Sequence, residues 1–425
     1  LERKARFARV EGEASFARVE REASRVPWSA SLSGERNDDM TRIGMGLVGP
    51  GFVGAHHIDA VRRLGFVDIV AIAASSDASA RRKADALGVP KAYGSYEALV
   101  GDPDVHVVHN TTPNFLHVPV IRAALARRKH VISDKPLAMT AADARELLDA
   151  ANRAGVVHAV TFNYRGNPLV QQAREMIAAG ELGDVHFIHG AYLQDWLLQP
   201  TDFSWRLEPD KGGASSAMGD IGSHWCDLVQ HVAGRRIVEV LADLTTVIGT
   251  RLKPPTSTEA FARGGDEGRQ PVAIHSEDLA TILLRFEGGA KGSVSVGQVC
   301  AGHKNGLWFE VNGRRASLRW LQERQNELWI GRREAANATL LKDPSLLGPS
   351  ARGYTHLPGG HQEGWADAFC NVMRDIYGFI AAGKKMSDQR PPAFATFEDG
   401  YHAACVVDAV LESHRRGAVW TRIST

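Results

Sequence analysis

One hexapeptide constrains the fold of this chain more than any other feature. Gly49-Pro50-Gly51-Phe52-Val53-Gly54 follows an apolar stretch, Ile43 to Val48, and precedes a segment of helical period running to about Leu64. This is G-x-G-x-x-G in the setting it requires, after a strand and before a helix. The first glycine permits a tight turn, the second lets a pyrophosphate approach the backbone, and the third lets helix pack on strand. Backbone N–H groups at the helix start then face the phosphates. Gly49, Gly51, Phe52, Val53 and Gly54 are the first candidate cofactor-binding residues.

The strand Val67 to Ala74 should end near an acid that holds the adenosine ribose, about 20 residues beyond the glycines. That position is Ala74, followed by Ser75-Ser76-Asp77. Ser75 and Ser76, with Arg81 and Arg82 downstream, suit a 2′-phosphate and hence NADP. Asp77 reaching a ribose hydroxyl would restore NAD, so NAD or NADP is expected without a choice between them. Strand and helix then alternate: a strand Val105–Asn110, the loop Thr111-Thr112-Pro113-Asn114, a helix from about Phe115 to Arg127, a short apolar strand into Ser133, a helix Thr140–Ala154 and a strand Val157–Phe162. Such alternation implies a parallel, doubly wound sheet whose strand ends converge on one edge. Thr111, Thr112, Pro113, Asn114 and His117 belong to that edge, as ordinary caps and turn residues or as cofactor contacts. Asp134-Lys135-Pro136 ends the next strand. Proline keeps Lys135 out of the helical region, and an X-Pro bond can be cis. A lysine at the carboxyl end of a parallel strand sits where open α/β sheets bind ligands.

Past Ala179 the pattern changes to strands separated by turns: Val185–Leu193, Val238–Ile248, Leu279–Phe286, Gly292–Val299 and Leu307–Val311. Their alternation predicts a largely antiparallel sheet with one face covered. Gly219-Asp220-Ile221-Gly222-Ser223-His224-Trp225 runs into an apolar stretch, Leu228–Ala233. On a helix, Asp220 and His224 at i and i+4 share a face. The pair is a carboxylate beside a titratable imidazole, or a helix-start aspartate and a packed histidine. Asn163, Tyr164, Arg165 and Asn167 follow the last parallel strand. Asp195, Trp196, Trp205 and Arg206 join aromatic faces to hydrogen-bonding groups, a mix suited to polyols, and His361 and Trp365 are placed to close the same pocket. His56-His57 reads as packing, and Ser223 lacks the G-x-S-x-G elbow of a nucleophile.

Composition excludes several classes. Lys+Arg (50) and Asp+Glu (49) nearly cancel, which leaves no electrostatic footprint for nucleic acid or an anionic membrane. Cys226, Cys300, Cys370 and Cys405 are far apart, which argues against a zinc ribbon or a disulfide framework and fits a reducing cytoplasm. No apolar run has the length of a membrane helix. Residues 1–40 differ from the rest: Phe7 to Ser15 recurs almost unchanged as Phe16 to Ser24. This stretch reads as an upstream extension with Met40 as the natural start, and weak order is expected to about Thr41. The expected organisation is an extension (1–40), a Rossmann domain (41–163) and a substrate and oligomerisation domain of α+β type (164–425), whose final helices can return to the Rossmann domain.

Taken together, Gly49–Gly54, Thr111-Thr-Pro-Asn-Phe-Leu-His117, Asp134-Lys-Pro136 and Asp220-Ile-Gly-Ser-His224 resemble, in order and spacing, the motifs of the glucose-fructose oxidoreductase / inositol dehydrogenase / MocA-type NAD(P)-dependent oxidoreductases. The match runs from about Ile43 to the C-terminal segment. Aspartate stands at 134 where glutamate is commoner, and the ribose acid is missing at 74. The resemblance implies hydride transfer between a nicotinamide and a cyclic polyol, such as a sugar or an inositol. It implies His224 as general base, Lys135 on the reacting oxygen, and Asp220 orienting the substrate or His224. Asn163, Tyr164, Arg165, Asp195, Trp205 and Arg206 become candidate substrate contacts, with Asp134 and Lys135 also against the cofactor. A homodimer or homotetramer is expected. Two rival readings are a redox-neutral glycosidase or lyase working through a transient keto-sugar, and a non-enzymatic sensor.

Overall fold

A computed structural model describes residues 42–255, 267–388 and 391–425. The tandem repeat and the expected weak order to Thr41 lie outside these residues.

Six parallel strands form the first sheet: β1 (Ile43–Val48), β2 (Val67–Ala73), β3 (Lys91–Tyr93), β4 (Val107–Asn110), β5 (His130–Ser133) and β6 (His158–Val160), in the order β3-β2-β1-β4-β5-β6. Strands such as β1 and β4 are buried on both faces, which is why they read as unbroken apolar runs rather than alternating ones. Strand order reverses between β1 and β4, and ligands bind at such a switch point. The loops after β1, β4 and β5 therefore meet there. Helices start and stop where local chemistry dictates. Ser76 and Thr140 accept N-cap bonds from Ser79 and Asp143, and Gly88 and Gly155 end their helices in the left-handed conformation. The helix expected from Phe115 begins at His117, after a 3-10 turn over Asn114–Leu116.

The second sheet has nine strands: β7 (Val185–Leu193), β8 (Ile237–Thr245), β11 (Leu279–Phe286), β12 (Lys291–Gly297), β13 (Gly306–Gly313), β14 (Ala316–Leu321), β15 (Glu327–Arg332), β16 (Ala338–Leu341) and β17 (Thr421–Arg422), in the order β16-β15-β14-β13-β7-β12-β11-β8-β17. All its pairings are antiparallel except β7 with β12. A separate hairpin joins β9 (Thr250–Lys253) to β10 (Gln270–Ala273). The helices Pro168–Ala178 and Ser223–Ala233 cover one face of the large sheet. Trp225 anchors the latter helix. Its Nε1 donates to Trp308 O at 2.9 Å, and a Cβ on Gly190 would lie 2.6 Å from that nitrogen. The opposite face stays open and carries Phe187 and Leu283.

The chain closes on itself. Helix Trp365–Ala381 contributes Phe369, Met373, Ile376 and Tyr377 to the core on one face of the parallel sheet, while Phe397, Ala403 and Ala404 of helix Phe397–Arg415 complete the core on the other. Residues remote in sequence thus hold the two sheets as one body. No helix among the described residues is long and apolar enough to cross a membrane.

Candidate active site

The glycine turn is built for close approach. Gly49 has φ +87°, and a Cβ there would meet the Thr111 carbonyl at 2.8 Å; a Cβ on Gly54 would lie 2.8 Å from Gly49 O. Both positions require glycine on steric grounds. A Cβ on Gly51 would meet nothing within 4 Å, so open space lies in front of the middle glycine, where a pyrophosphate would sit. Among the described residues no side chain caps the N-terminus of helix Phe52–Arg62, the end of a helix that suits phosphate oxygens. Val53 follows in that first turn, and the Phe52 ring is exposed at its start. These residues fit a dinucleotide.

The neighbouring loops are tied to the turn. Thr111 Oγ1 donates to Gly49 O at 2.7 Å, and Thr112 Oγ1 to Asn110 Oδ1 at 2.8 Å. Past Pro113, Asn114 Nδ2 donates to Gly212 O at 2.9 Å, which links the two halves across the crevice. Asp134 accepts from Thr161 Oγ1 at 2.8 Å. His117 is buried, with its ring nitrogens 2.6 Å from Pro136 O and 2.9 Å from Thr112 O, so it lies between two site loops. Ser76 Oγ accepts from the Ser79 N–H, and Ser75 is exposed beside it.

Lys135, at a cis Lys135–Pro136 bond, meets Asp220 across the crevice. Its Nζ lies 2.7 Å from Asp220 Oδ1 and 2.8 Å from Asp220 O. Arg206 Nε donates to the same Oδ1 at 3.2 Å, and Gln298 Nε2 to Oδ2 at 2.9 Å. Burial opposes ionisation of Asp220, but Lys135 and Arg206 outweigh it and hold the carboxyl well below the usual carboxylate range. The expected single helix through Asp220 and His224 is not formed. Asp220 sits in a π turn over Met218–Gly222, ahead of the α-helix that starts at Ser223. Glu277 shapes this turn, its Oε1 accepting from Ser215 Oγ (2.7 Å), Ser216 N (3.1 Å) and Met218 N (2.8 Å). The Asp220 carboxylate is therefore bonded to Lys135, Arg206 and Gln298 rather than to His224.

The His224 imidazole is enclosed by rings, with centroids 5.7 Å from Phe162, 5.2 Å from Tyr164 and 6.4 Å from Tyr192. Its Nδ1 is buried without a hydrogen-bond partner among the described residues, as are Gln194 Oε1 and Asn163 Nδ2. Burial, aided by the Lys135 charge, pushes the imidazole down to about 3, so it is neutral and offers a ring nitrogen for a hydrogen bond. Tyr164 and Tyr192 share a hydrogen bond of 2.7 Å, and Tyr192 donates to Asn305 Oδ1 at 2.6 Å, which fixes both rings against it.

Other expected contacts are placed differently. Arg165 is buried, donating through Nε to Asp227 Oδ2 at 2.8 Å and reaching Asp399 at 3.2 Å, so its fork is committed to protein carboxylates. Asp195 turns to Lys304 (2.6 Å) and Gly302 N (3.0 Å). His361 is exposed and hydrogen-bonds Gly359 O, while Trp365 packs on His56 and Phe369 and also hydrogen-bonds Tyr164, the ring beside His224. Trp205 does stand at the site through Arg206, whose guanidinium lies 4.6 Å over its ring. Gln298, Glu277 and Gln194 were not singled out from sequence. A charged pair directly before an apolar strand, Glu277-Asp278, was the available signal for the second of them.

Comparison with known proteins places the fold in a family. The family model described as "Oxidoreductase family, NAD-binding Rossmann fold" matches residues 43–162, and "GFO/IDH/MocA C-terminal domain" matches 170–319. Levoglucosan dehydrogenase of Pseudarthrobacter phenanthrenivorans is 32% identical over 390 residues, spanning 88% of this chain and 96% of the relative. A solved levoglucosan dehydrogenase in complex with NADH and L-sorbose superposes with TM-score 0.80 at 29% identity, covering 91% of this chain and 100% of that one. An inositol dehydrogenase homolog with NAD+ from Azotobacter vinelandii gives TM-score 0.80 at 28% identity, over 90% of this chain and 97% of that one. With its glycine turn, its crossed Lys135–Asp220 pair and a sequence match over most of its length, the chain belongs to the Gfo/Idh/MocA family of NAD(P)-dependent oxidoreductases.

Proposed function

We propose that the chain moves a hydride between the nicotinamide and a secondary hydroxyl or ketone of a cyclic polyol, a sugar, sugar derivative or cyclitol. The observation that carries this reading is His224. It is a neutral imidazole with a buried, unpartnered Nδ1, beside the Lys135–Asp220 pair and among further unpartnered polar atoms on Gln194 and Asn163. Buried polar atoms without protein partners are uncommon, and a hydroxylated substrate would satisfy them. The nicotinamide, when bound, takes or gives the hydride. His224 holds the hydroxyl proton as general base. Lys135 donates a hydrogen bond to the reacting oxygen and steadies its developing charge. Asp220, kept anionic, positions Lys135. The Trp205 face and the Arg206 N–H groups supply stacking and donors for ring hydroxyls.

Levoglucosan and inositol relatives support a cyclic polyol as the substrate class. The test is a panel of such compounds with both cofactors, following reduced nicotinamide. Turnover that survives His224→Gln at the wild-type rate would contradict the assignment. For assembly, the open sheet face bearing Phe187 and Leu283 suits a second copy of the chain. A mass measurement before and after Phe187→Glu tests that placement.

A further inference from the structure

Both anchors of Lys135 belong to one turn. Its Nζ meets the carboxylate and the main-chain carbonyl of Asp220, so the ammonium is aimed only as well as the π turn over Met218–Gly222 is held. Ala217, at the start of that turn, has no side chain able to cap it. The cap comes instead from Glu277, a buried residue just ahead of β11. Its Oε1 takes the Ser215 hydroxyl and the Ser216 and Met218 N–H groups, and its main-chain carbonyl takes the Ala217 N–H at 3.1 Å. Glu277 thus engages each residue from Ser215 to Met218. Ser216 passes the constraint on, its own carbonyl accepting from Asp220 N at 2.8 Å. Ser215 does the same for the residue before, its Oγ accepting from Gly219 N at 2.8 Å.

The reach of this side chain matters more than its charge. Burial pushes the Glu277 carboxyl up from its ordinary value, against the pull of the donors from Ser215, Met218 and Ser216. A neutral oxygen in the same place still accepts those donors, whereas withdrawing the oxygen leaves them buried and unpaired. Gln298 completes the frame. Its Nε2 meets Asp220 Oδ2, and its backbone N–H donates at 3.0 Å to the carbonyl of Asp278, the residue next to Glu277.

We propose that Glu277 is a positioning residue for hydride transfer, holding the π turn so that Asp220 presents the Lys135 ammonium to the reacting oxygen. The inference rests on the role given to Lys135 in the proposed function. Glu277→Asp keeps the charge and withdraws the oxygen by one methylene; Glu277→Gln keeps the reach and removes the charge. On the cyclic polyol of the panel that the wild type turns over fastest, Glu277→Asp should lower kcat by about a hundredfold. It should leave the dinucleotide dissociation constant within about twofold, while Glu277→Gln keeps kcat within about threefold of wild type. In an Asp220→Asn background Glu277→Asp should cost no more than about threefold, because the two residues act in series. Equal losses in both backgrounds, or a Glu277→Gln variant as slow as Glu277→Asp, overturn the proposal. Where Glu277→Asp does not fold, Ser215→Ala cuts one bond of the same link and should slow kcat by about tenfold. An unchanged kcat there overturns the proposal too. A readout without substrate is urea unfolding of Lys135→Met, Asp220→Asn and the double variant, whose coupling Glu277→Asp should abolish. Coupling that survives overturns the role of Glu277. Its loss in a chain that turns over no polyol overturns the hydride-transfer reading alone.

Discussion

Replacing His224 by glutamine removes a buried imidazole, and the pH dependence of the resulting stability change follows from the structure. Burial in the ring of Phe162, Tyr164 and Tyr192, with Lys135 nearby, lowers the folded-state value to about 3. The unfolded chain keeps an ordinary imidazole, near about 6.5. As pH falls below that value the unfolded state gains a proton that the folded state refuses. Stability contributed by the neutral imidazole is therefore complete above about 6.5 and is lost as pH falls towards 3. At about pH 5.5 the loss amounts to about 1.4 kcal/mol, and at about pH 8 it is close to zero. His224→Gln lacks this contribution, while His57, His109 and His402, whose values burial also lowers, titrate alike in both proteins and cancel. Urea unfolding of both proteins at the two pH values measures the double difference. The expected result is a wild-type advantage smaller by about 1.4 kcal/mol at the lower pH. An advantage that is the same at both values would refute the buried, neutral imidazole on which the proton chemistry depends.

Lys135→Ala should lower kcat/KM by about a thousandfold or more while changing cofactor affinity far less, because Lys135 is bonded to Asp220 rather than to the glycine turn. Steady-state kinetics beside nucleotide titration separates the two. Gly54→Ala places a Cβ 2.8 Å from Gly49 O and should weaken both dinucleotides together, read by the same titration. Arg251 is fully buried. Its Nη1 holds Leu197 O (2.7 Å), Gln199 O (3.1 Å) and Asp202 O (3.1 Å), and Nη2 faces Asp278 at 3.4 Å. Arg251→Met leaves that carboxylate without its cation and should cost about 3–5 kcal/mol, with faster proteolysis of the segment that leads to Trp205 and Arg206.

The parallel half was legible because its strands are buried on both faces and its turn demands glycine, two signals that are local in sequence. β1 and β11 have the boundaries their patterns imply. β3 escaped notice because a three-residue edge strand beginning with lysine carries almost no periodicity. The strands β14 to β16 were missed as well: they are only four to six residues long, and β16, Ala338-Thr-Leu-Leu341, shows no alternation. Site residues were legible by type and position, but their partners were not. His117 and Arg165 had the chemistry of ligands. Their partners, the Pro136 and Thr112 carbonyls for one and Asp227 with Asp399 for the other, are supplied by tertiary structure. Gln298 shows the converse: nothing about a glutamine after a strand marks it as a donor to Asp220. A pattern reports which groups a residue offers, and only the folded chain shows which of them remain available.

The central claim is a net hydride transfer with His224 holding the proton. Its most direct test is to incubate the purified chain with a cyclic polyol panel that includes glycosides, using substrates deuterated at the carbinol carbon. Label is then followed into the nicotinamide while the keto product is quantified. The expected result is deuterium on the reduced cofactor in equal amount to ketone, lost in His224→Gln. Aglycone release with no accumulated reduced cofactor, or label transfer that persists in His224→Gln at the wild-type rate, would contradict it.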